Sequence, residues 1–209
     1  MAPVEEPLCF LHIPKSGGSS VHAALLAATP EGSLSAKRGD AAVTAFGELD
    51  RDARAARDAE LVEYELDPAP ESGIVSGHFY LSTLLKVASH RSIATVLREP
   101  RARLLSLYAF WRLTPRDDAW HPHKPHDHAL RPLDEFLSEP LMAPAVDNVV
   151  CRMLLSGNHD RRIPPVDVIS SKHVGNLASD GIHRLDQLGF VGVLNGDRRP
   201  GTASRASSA

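Results

Sequence analysis

A lysine, two glycines and three serines stand together in the run Lys15-Ser16-Gly17-Gly18-Ser19-Ser20, directly after the apolar segment Leu8 to Ile13. Residues of these types in this order can bind an anion. Glycines let backbone N–H groups approach a ligand closely, the N-terminus of a following helix favours negative charge, and the lysine ammonium adds a point charge. A second cationic handle comes later. The apolar run Ser92-Ile93-Ala94-Thr95-Val96-Leu97 ends in Arg98, and a guanidinium offers paired hydrogen bonds to a phosphate-like group.

The order of the residues is not that of the usual nucleoside-triphosphate loop. That loop reads Gly, four residues, then Gly-Lys-Ser/Thr. Here Lys15 precedes both glycines, and no glycine lies upstream of it. Enzymes of that class also hold Mg²⁺ with an acidic side chain at a neighbouring strand end, where this chain carries Arg98. The expected ligand therefore has two anionic groups and no metal.

The segment His12-Ile13-Pro14-Lys15-Ser16-Gly17-Gly18-Ser19-Ser20 resembles the 5′-phosphosulfate loop of sulfotransferases that use 3′-phosphoadenosine 5′-phosphosulfate (PAPS). Leu97-Arg98-Glu99-Pro100-Arg101-Ala102-Arg103-Leu104-Leu105-Ser106-Leu107-Tyr108 resembles their 3′-phosphate motif. Ser76-Gly77-His78-Phe79, and Asn148 followed by Arg152-Met153-Leu154-Leu155-Ser156-Gly157, are weaker echoes. The likeness is to the carbohydrate sulfotransferases, including the heparan sulfate 2-O and 6-O types and their bacterial cousins, and it covers most of residues 8 to 194.

That resemblance implies a P-loop-like α/β domain over residues 1–194. It implies transfer of a sulfuryl group from PAPS to an acceptor hydroxyl, on a carbohydrate or another hydroxylated small molecule. It puts Lys15 at the leaving phosphate, and Ser16, Gly17, Gly18, Ser19 and Ser20 around the oxygens of that phosphate. Arg98 and Ser106 go to the 3′-phosphate, and His78 to the acceptor's proton. Imidazole suits that task, because its ordinary pKa of ~6.5 lies near operating pH. Lys15 could share it, whereas the family uses the position of Glu99 for structure. His12 reads as a structural hydrogen-bond donor. Asn148 and Arg152, four apart on one helix face, either line the cleft or hydrogen-bond to neighbouring loops. Two further readings stay open: a nucleotide-binding or regulatory module of the same fold without turnover, and a nucleotide kinase.

These residues need elements to hold them. Leu8 to Ile13, Ile74 to Ser76 and Ile93 to Leu97 read as strands, with one more short strand over Gly189 to Leu194. Helices are expected from Ser19 to Ala28, from Pro100 onward, over Leu133 to Ser138 and over Ala145 to Ser156, with a surface helix over Phe46 to Tyr64. On the helix after Pro100, the spacing of Leu104, Leu105, Tyr108 and Trp111 predicts a packed face. Strands alternating with helices give an α/β fold with a mainly parallel sheet. Ligands bind such sheets beyond the carboxyl ends of the strands, and Lys15, His78 and Arg98 each follow a predicted strand end. Residues 33 to 45 read as a loop, as does Thr114 to Pro132. The run His121-Pro122-His123-Lys124-Pro125-His126-Asp127-His128 reads as solvated rather than metal-binding, its prolines opposing a regular helix.

Composition bounds the rest. A chain of 209 residues with 43% apolar content suits one domain with a real core. A net charge of -3 provides no global field for nucleic acid. Two distant cysteines, Cys9 and Cys151, make no disulfide framework. No membrane span or signal peptide is evident, so a cytoplasmic protein is expected. Residues 195–209, small and polar, read as a disordered tail.

Overall fold

Short apolar runs bounded by Gly, Pro and Ser become the parallel strands of one sheet. The computed structural model describes residues 7–28, 34–35, 74–115, 123–155, 162–163 and 168–194. The expected surface helix at 46–64, the tail at 195–209, and His121 and Pro122 lie outside them. The strands are β1 (Leu8–Leu11), β2 (Leu34–Ser35), β3 (Ile74–Gly77), β4 (Ile93–Arg98) and β5 (Phe190–Leu194). Their order in the sheet is β2-β3-β1-β4-β5, and every pair is parallel. Central strands of a parallel sheet are covered on both faces and so read as continuous apolar runs. All four residues of β3 are buried, as are Cys9, Phe10 and Leu11 of β1. At the sheet edge, β5 leaves Phe190, Val193 and Leu194 exposed.

This order creates a switch point. The chain leaves β1 towards β3 and β2, then returns across β1 to form β4 and β5 on its other side. Adjacent strands whose connections diverge leave a crevice beyond their carboxyl ends, where α/β proteins bind ligands. The register sharpens it. Leu11, the last residue of β1, pairs with Thr95, so β4 continues for three more residues to Arg98, about 10 Å past β1 at ~3.3 Å per residue.

Eight α-helices surround the sheet among the described residues: α1 (Gly18–Ala28), α2 (Leu81–Leu84), α3 (Pro100–Leu113), α4 (His123–Ala129), α5 (Leu133–Ser138), α6 (Ala143–Val146), α7 (Val149–Leu155) and α8 (Ser171–Gln187). Cys9, Leu11, Val75 and Ile93 of the strands join Phe79, Leu84, Met153, Leu154 and Leu177 in the main core. A second core gathers Leu107, Trp111, Ala129, Phe136, Met142 and Ala145 under α3. Helix α8 packs on α7, with Gly181 facing Cys151 Sγ and Leu154 so that a Cβ there would stand 3.7 and 3.8 Å from them. No helix among the described residues is long and apolar enough to cross a membrane.

Several expectations are corrected. Of the face expected on α3, Trp111 is buried and Tyr108 packs on the second core, but Leu105 is 54% exposed and Arg103 and Leu107 are buried instead. On the buried side the Arg103 guanidinium donates to the carbonyl of Ala145 at 3.1 Å. The helix expected over 145–156 is two helices, α6 and α7. Between them Asn148 takes a left-handed φ of 49°, which asparagine tolerates. Asp147 explains the break: its carboxylate accepts from Arg152 Nη2 at 2.8 Å, from the Ile169 amide at 2.7 Å and from Asn148 Nδ2 at 2.7 Å. The histidine-rich run contains a helix, α4, because Pro125 falls in its first turn, where a missing N–H costs no helical bond. His126 Nδ1 donates there to the Trp111 carbonyl at 3.0 Å. Residues 34–35, expected within a loop, add the two-residue strand β2.

A candidate anion-binding site at the switch point

The loop between β1 and α1 is held from three sides. His12 donates its amide to Gly77 at the end of β3 (2.9 Å), and Ser16 donates to Ile13 (3.3 Å). Thr95 of β4 donates its hydroxyl to the Leu11 carbonyl at 2.8 Å. Lys15 and Gly17 both take positive φ, 64° and 83°. A lysine in this region is strained unless its surroundings fix it, and here the Arg98 guanidinium donates to its carbonyl at 3.3 Å. The two cationic residues singled out in the sequence are thus in direct contact.

Glycine is required at two places in the loop. A Cβ on Gly18 would lie 2.0 Å from Cδ2 and 2.2 Å from Nε2 of His12, so the His12 ring occupies the space a side chain would fill. Gly17, besides its positive φ, leaves only 3.1 Å between a Cβ and Leu194 of β5. Beyond them, the first turn of α1 presents N–H groups that a helix cannot satisfy internally. Ser20 and Val21 turn back to the Gly17 carbonyl at 3.1 and 3.4 Å. Among the described residues no acceptor meets the amides of Gly17, Gly18 or Ser19.

The side chains supply positive charge and unused donors. Ser16 is 1% exposed, and among the described residues its hydroxyl has no partner. Nε of Arg98 is likewise buried without a partner. What sets these two apart from the other buried polar atoms of this kind is that both lie at the loop, where a ligand or water can complete them. Burial, then the neighbouring Arg98, holds the Lys15 ammonium below its usual pKa, and its Nζ lies 3.9 Å from the centroid of the Phe110 ring. Ser19 and Ser20 are exposed on the first turn of α1.

Beside this loop stand two histidines. His78 Nδ1 lies 2.6 Å from the His12 carbonyl oxygen. A carbonyl only accepts, so Nδ1 carries the proton and Nε2 is the basic nitrogen. The rings of His12 and His78 stack with centroids 4.3 Å apart. Burial, opposed by the bond to His12 and reinforced by Lys15, lowers the His78 pKa. His12, desolvated and facing His78, His22 and Lys15, falls to about 3. Both rings are therefore neutral at ordinary pH. His22 meets the buried Ser76 hydroxyl at 2.9 Å.

The structure brings together Lys15, Ser16, Gly17, Gly18, Arg98 and His78. Ser106 is half-buried on α3, and among the described residues no hydrogen bond joins it to Arg98 or the loop. Glu99 caps α3, accepting from the amides of Arg101 (3.0 Å) and Ala102 (2.7 Å), which with Arg101 and Arg98 nearby lowers its pKa. Asn148 and Arg152 bind Asp147 and serve the α6–α7 turn. Phe110 and Thr95 were not legible as site residues, since only tertiary placement brings them to the loop, and the His12 ring, expected as a hydrogen-bond donor, instead packs against His78 and Gly18. Among the described residues no group of three or more His, Cys, Asp or Glu is arranged to hold a metal ion. No protein-family model matches the chain, and neither a curated protein nor a solved structure matches it significantly.

Proposed function

We propose that this protein is a sulfotransferase that moves a sulfuryl group from PAPS to an acceptor hydroxyl, on a carbohydrate. The observation that carries this reading is the contact between Arg98 and the Lys15 carbonyl at 3.3 Å, which puts two cationic side chains at one switch point. The buried donors without partners, Ser16 Oγ and Arg98 Nε, fit a ligand rich in anionic oxygens. The donor supplies an activated sulfur–oxygen bond to a phosphate leaving group.

The chain's own residues then have defined tasks. The amides of Gly17, Gly18 and Ser19, with the hydroxyls of Ser16, Ser19 and Ser20, cradle the 5′-phosphate. Lys15 stabilises charge that grows on the bridging oxygen as the bond to sulfur breaks. Arg98 takes the 3′-phosphate by its guanidinium, with Ser106 from α3. The acceptor oxygen forms the new bond to sulfur, and its proton passes to Nε2 of His78, the nitrogen that the His12 carbonyl leaves unprotonated. The cytoplasm is the proposed location.

Calorimetric titration with 3′-phosphoadenosine 5′-phosphate in the presence of a chelator tests the site. Wild type binds; Lys15→Ala and Arg98→Ala each weaken binding at least about tenfold, the loss of one charge-assisted contact of ~1.5–3 kcal/mol. Transfer of labelled sulfate to a panel of sugars, with His78→Asn as control, tests turnover. Absence of binding by folded wild type would overturn the proposal. Binding without transfer to any acceptor would favour the non-enzymatic module, and Mg²⁺-dependent ATP turnover the kinase.

A further inference from the structure

Both ends of the Lys15 side chain are fixed by the protein. At the backbone, φ is 64° and the carbonyl accepts from Arg98. At the far end, Nζ stands 3.9 Å from the centroid of the Phe110 ring, close enough for a ring face to attract a cation. The ring is itself braced. Its centroid lies 5.0 Å from that of Trp111, edge to face at 65°, and Trp111 is 5% exposed in the core beneath α3. A free lysine side chain loses about 2 kcal/mol of rotamer entropy when it is held in one place. A lysine already held contributes its charge to an incoming anion without that cost.

We propose that Phe110 is a positioning residue, whose ring face holds the Lys15 ammonium over the loop where a phosphate-like anion enters. The inference rests on the anion-binding role proposed for Lys15. Phe110 belongs to neither sequence motif of the site. It acts through Lys15. The ring also opposes burial and Arg98, which pull Lys15 towards its neutral form, so it helps keep the ammonium charged.

Two variants separate the ring's electrostatics from its bulk: Phe110→Leu, which keeps an apolar side chain, and Phe110→Tyr, which keeps the ring face. The first readout needs no ligand. Lys15 is acetylated with an amine-specific reagent at a series of pH values between about 7 and 10, and its labelling rate is compared by peptide mass with that of the exposed Lys172. Phe110→Leu raises the Lys15 rate roughly threefold to tenfold at a given pH, the range expected for a cation–ring contact, while Phe110→Tyr leaves it within about twofold. Lys172 does not change.

The second readout is the affinity for 3′-phosphoadenosine 5′-phosphate, which falls by a similar factor in Phe110→Leu and is kept in Phe110→Tyr. If Phe110→Leu unfolds, Phe110→Met replaces it. Equal Lys15 labelling in wild type and a folded Leu or Met variant overturns the inference, whatever the affinity. Failure of wild type to bind the nucleotide overturns the sulfotransferase proposal instead, and the labelling contrast still decides what Phe110 does.

Discussion

The fit of His12 against Gly18 makes Gly18→Ala the sharpest test of the site's architecture. A Cβ at residue 18 would meet His12 Cδ2 at 2.0 Å, whereas carbon atoms rest at ~3.5–4.0 Å. The ring must retreat by about 1.5 Å. It has little room, because it already stacks on His78 at 4.3 Å, with Phe10 5.9 Å away. Overpacking of this kind costs ~1–3 kcal/mol. Alanine in a helix gains up to about 1 kcal/mol over glycine, and less in a first turn, so the clash wins by roughly 1–2 kcal/mol. With a urea m-value of ~2 kcal/mol per molar, the unfolding midpoint falls by about 0.5–1 M. The control is Gly175→Ala on α8, where a Cβ has nothing within 4 Å; it should hold or raise the midpoint. Combining Gly18→Ala with His12→Ala should restore most of the loss relative to His12→Ala alone, the coupling expected of residues in contact. A Gly18→Ala midpoint within about 0.2 M of wild type, or no coupling in the double variant, would show that the His12 ring does not occupy this space.

Other outcomes follow from single contacts. Asp147→Asn removes the carboxylate that accepts from Arg152 and from the Ile169 amide and should cost about 1–3 kcal/mol in urea unfolding; a loss below ~0.5 kcal/mol would demote the Asp147 junction. Under the sulfuryl-transfer proposal, Glu99→Gln should keep transfer within a few-fold, since Glu99 caps α3; complete loss would make it a base. His12 has its pKa lowered to about 3 from 6.5. Above ~6.5 neither state binds the proton and the stability is whole. Below that the unfolded chain protonates first, so stability falls by up to ~1.4 kcal/mol per pH unit towards about pH 3. His78, also lowered, adds to the slope. Midpoints that stay level from pH 7 to pH 4 (about the range covered by these shifts) would contradict the burial of both rings.

The parts of the fold that were legible are those with one dominant local signal. β1, β3 and β4 are continuous apolar runs ended by Pro, Gly or Arg, and Glu99-Pro100 opens α3 as capping chemistry requires. What was missed lacked such a signal. α8 is the longest helix described, yet it contains Gly175, Asn176, Asp180 and Gly181, and of these Gly181 makes sense only against α7. The turn at Asp147 depends on Ile169, twenty-two residues on, which no local window contains. On α3, Tyr108 and Trp111 pack as their spacing predicts, but leucine spacing points to Leu105 rather than Leu107, and the burial of Arg103 depends on the distant Ala145 carbonyl. In the site, Lys15, the glycines and Arg98 could be named because charge and glycine are chemical signals in themselves. Phe110 could not be, since an aromatic residue on a helix reads first as core.

Under the sulfuryl-transfer proposal, His78 faces two opposing demands: it must be neutral to accept a proton, yet hold that proton once the sulfur–oxygen bond has broken. The geometry reconciles them through Lys15. In the free protein, burial and the Lys15 charge both lower the His78 pKa. An anion bound at Lys15 offsets that charge and raises the proton affinity of His78. Linkage is reciprocal, so a proton on His78 must strengthen anion binding by the same factor. Nucleotide affinity in wild type should therefore rise, as pH falls below ~6.5, relative to His78→Asn. That variant carries the same ligand phosphates, whose own protonation near pH ~6 weakens binding equally in both. Lys15→Ala should shrink the difference between the pair, because it removes the charge through which they communicate. Parallel affinity curves for wild type and His78→Asn would mean that the base and the loop do not sense one another. The 4.3 Å His12–His78 stack would then be packing alone.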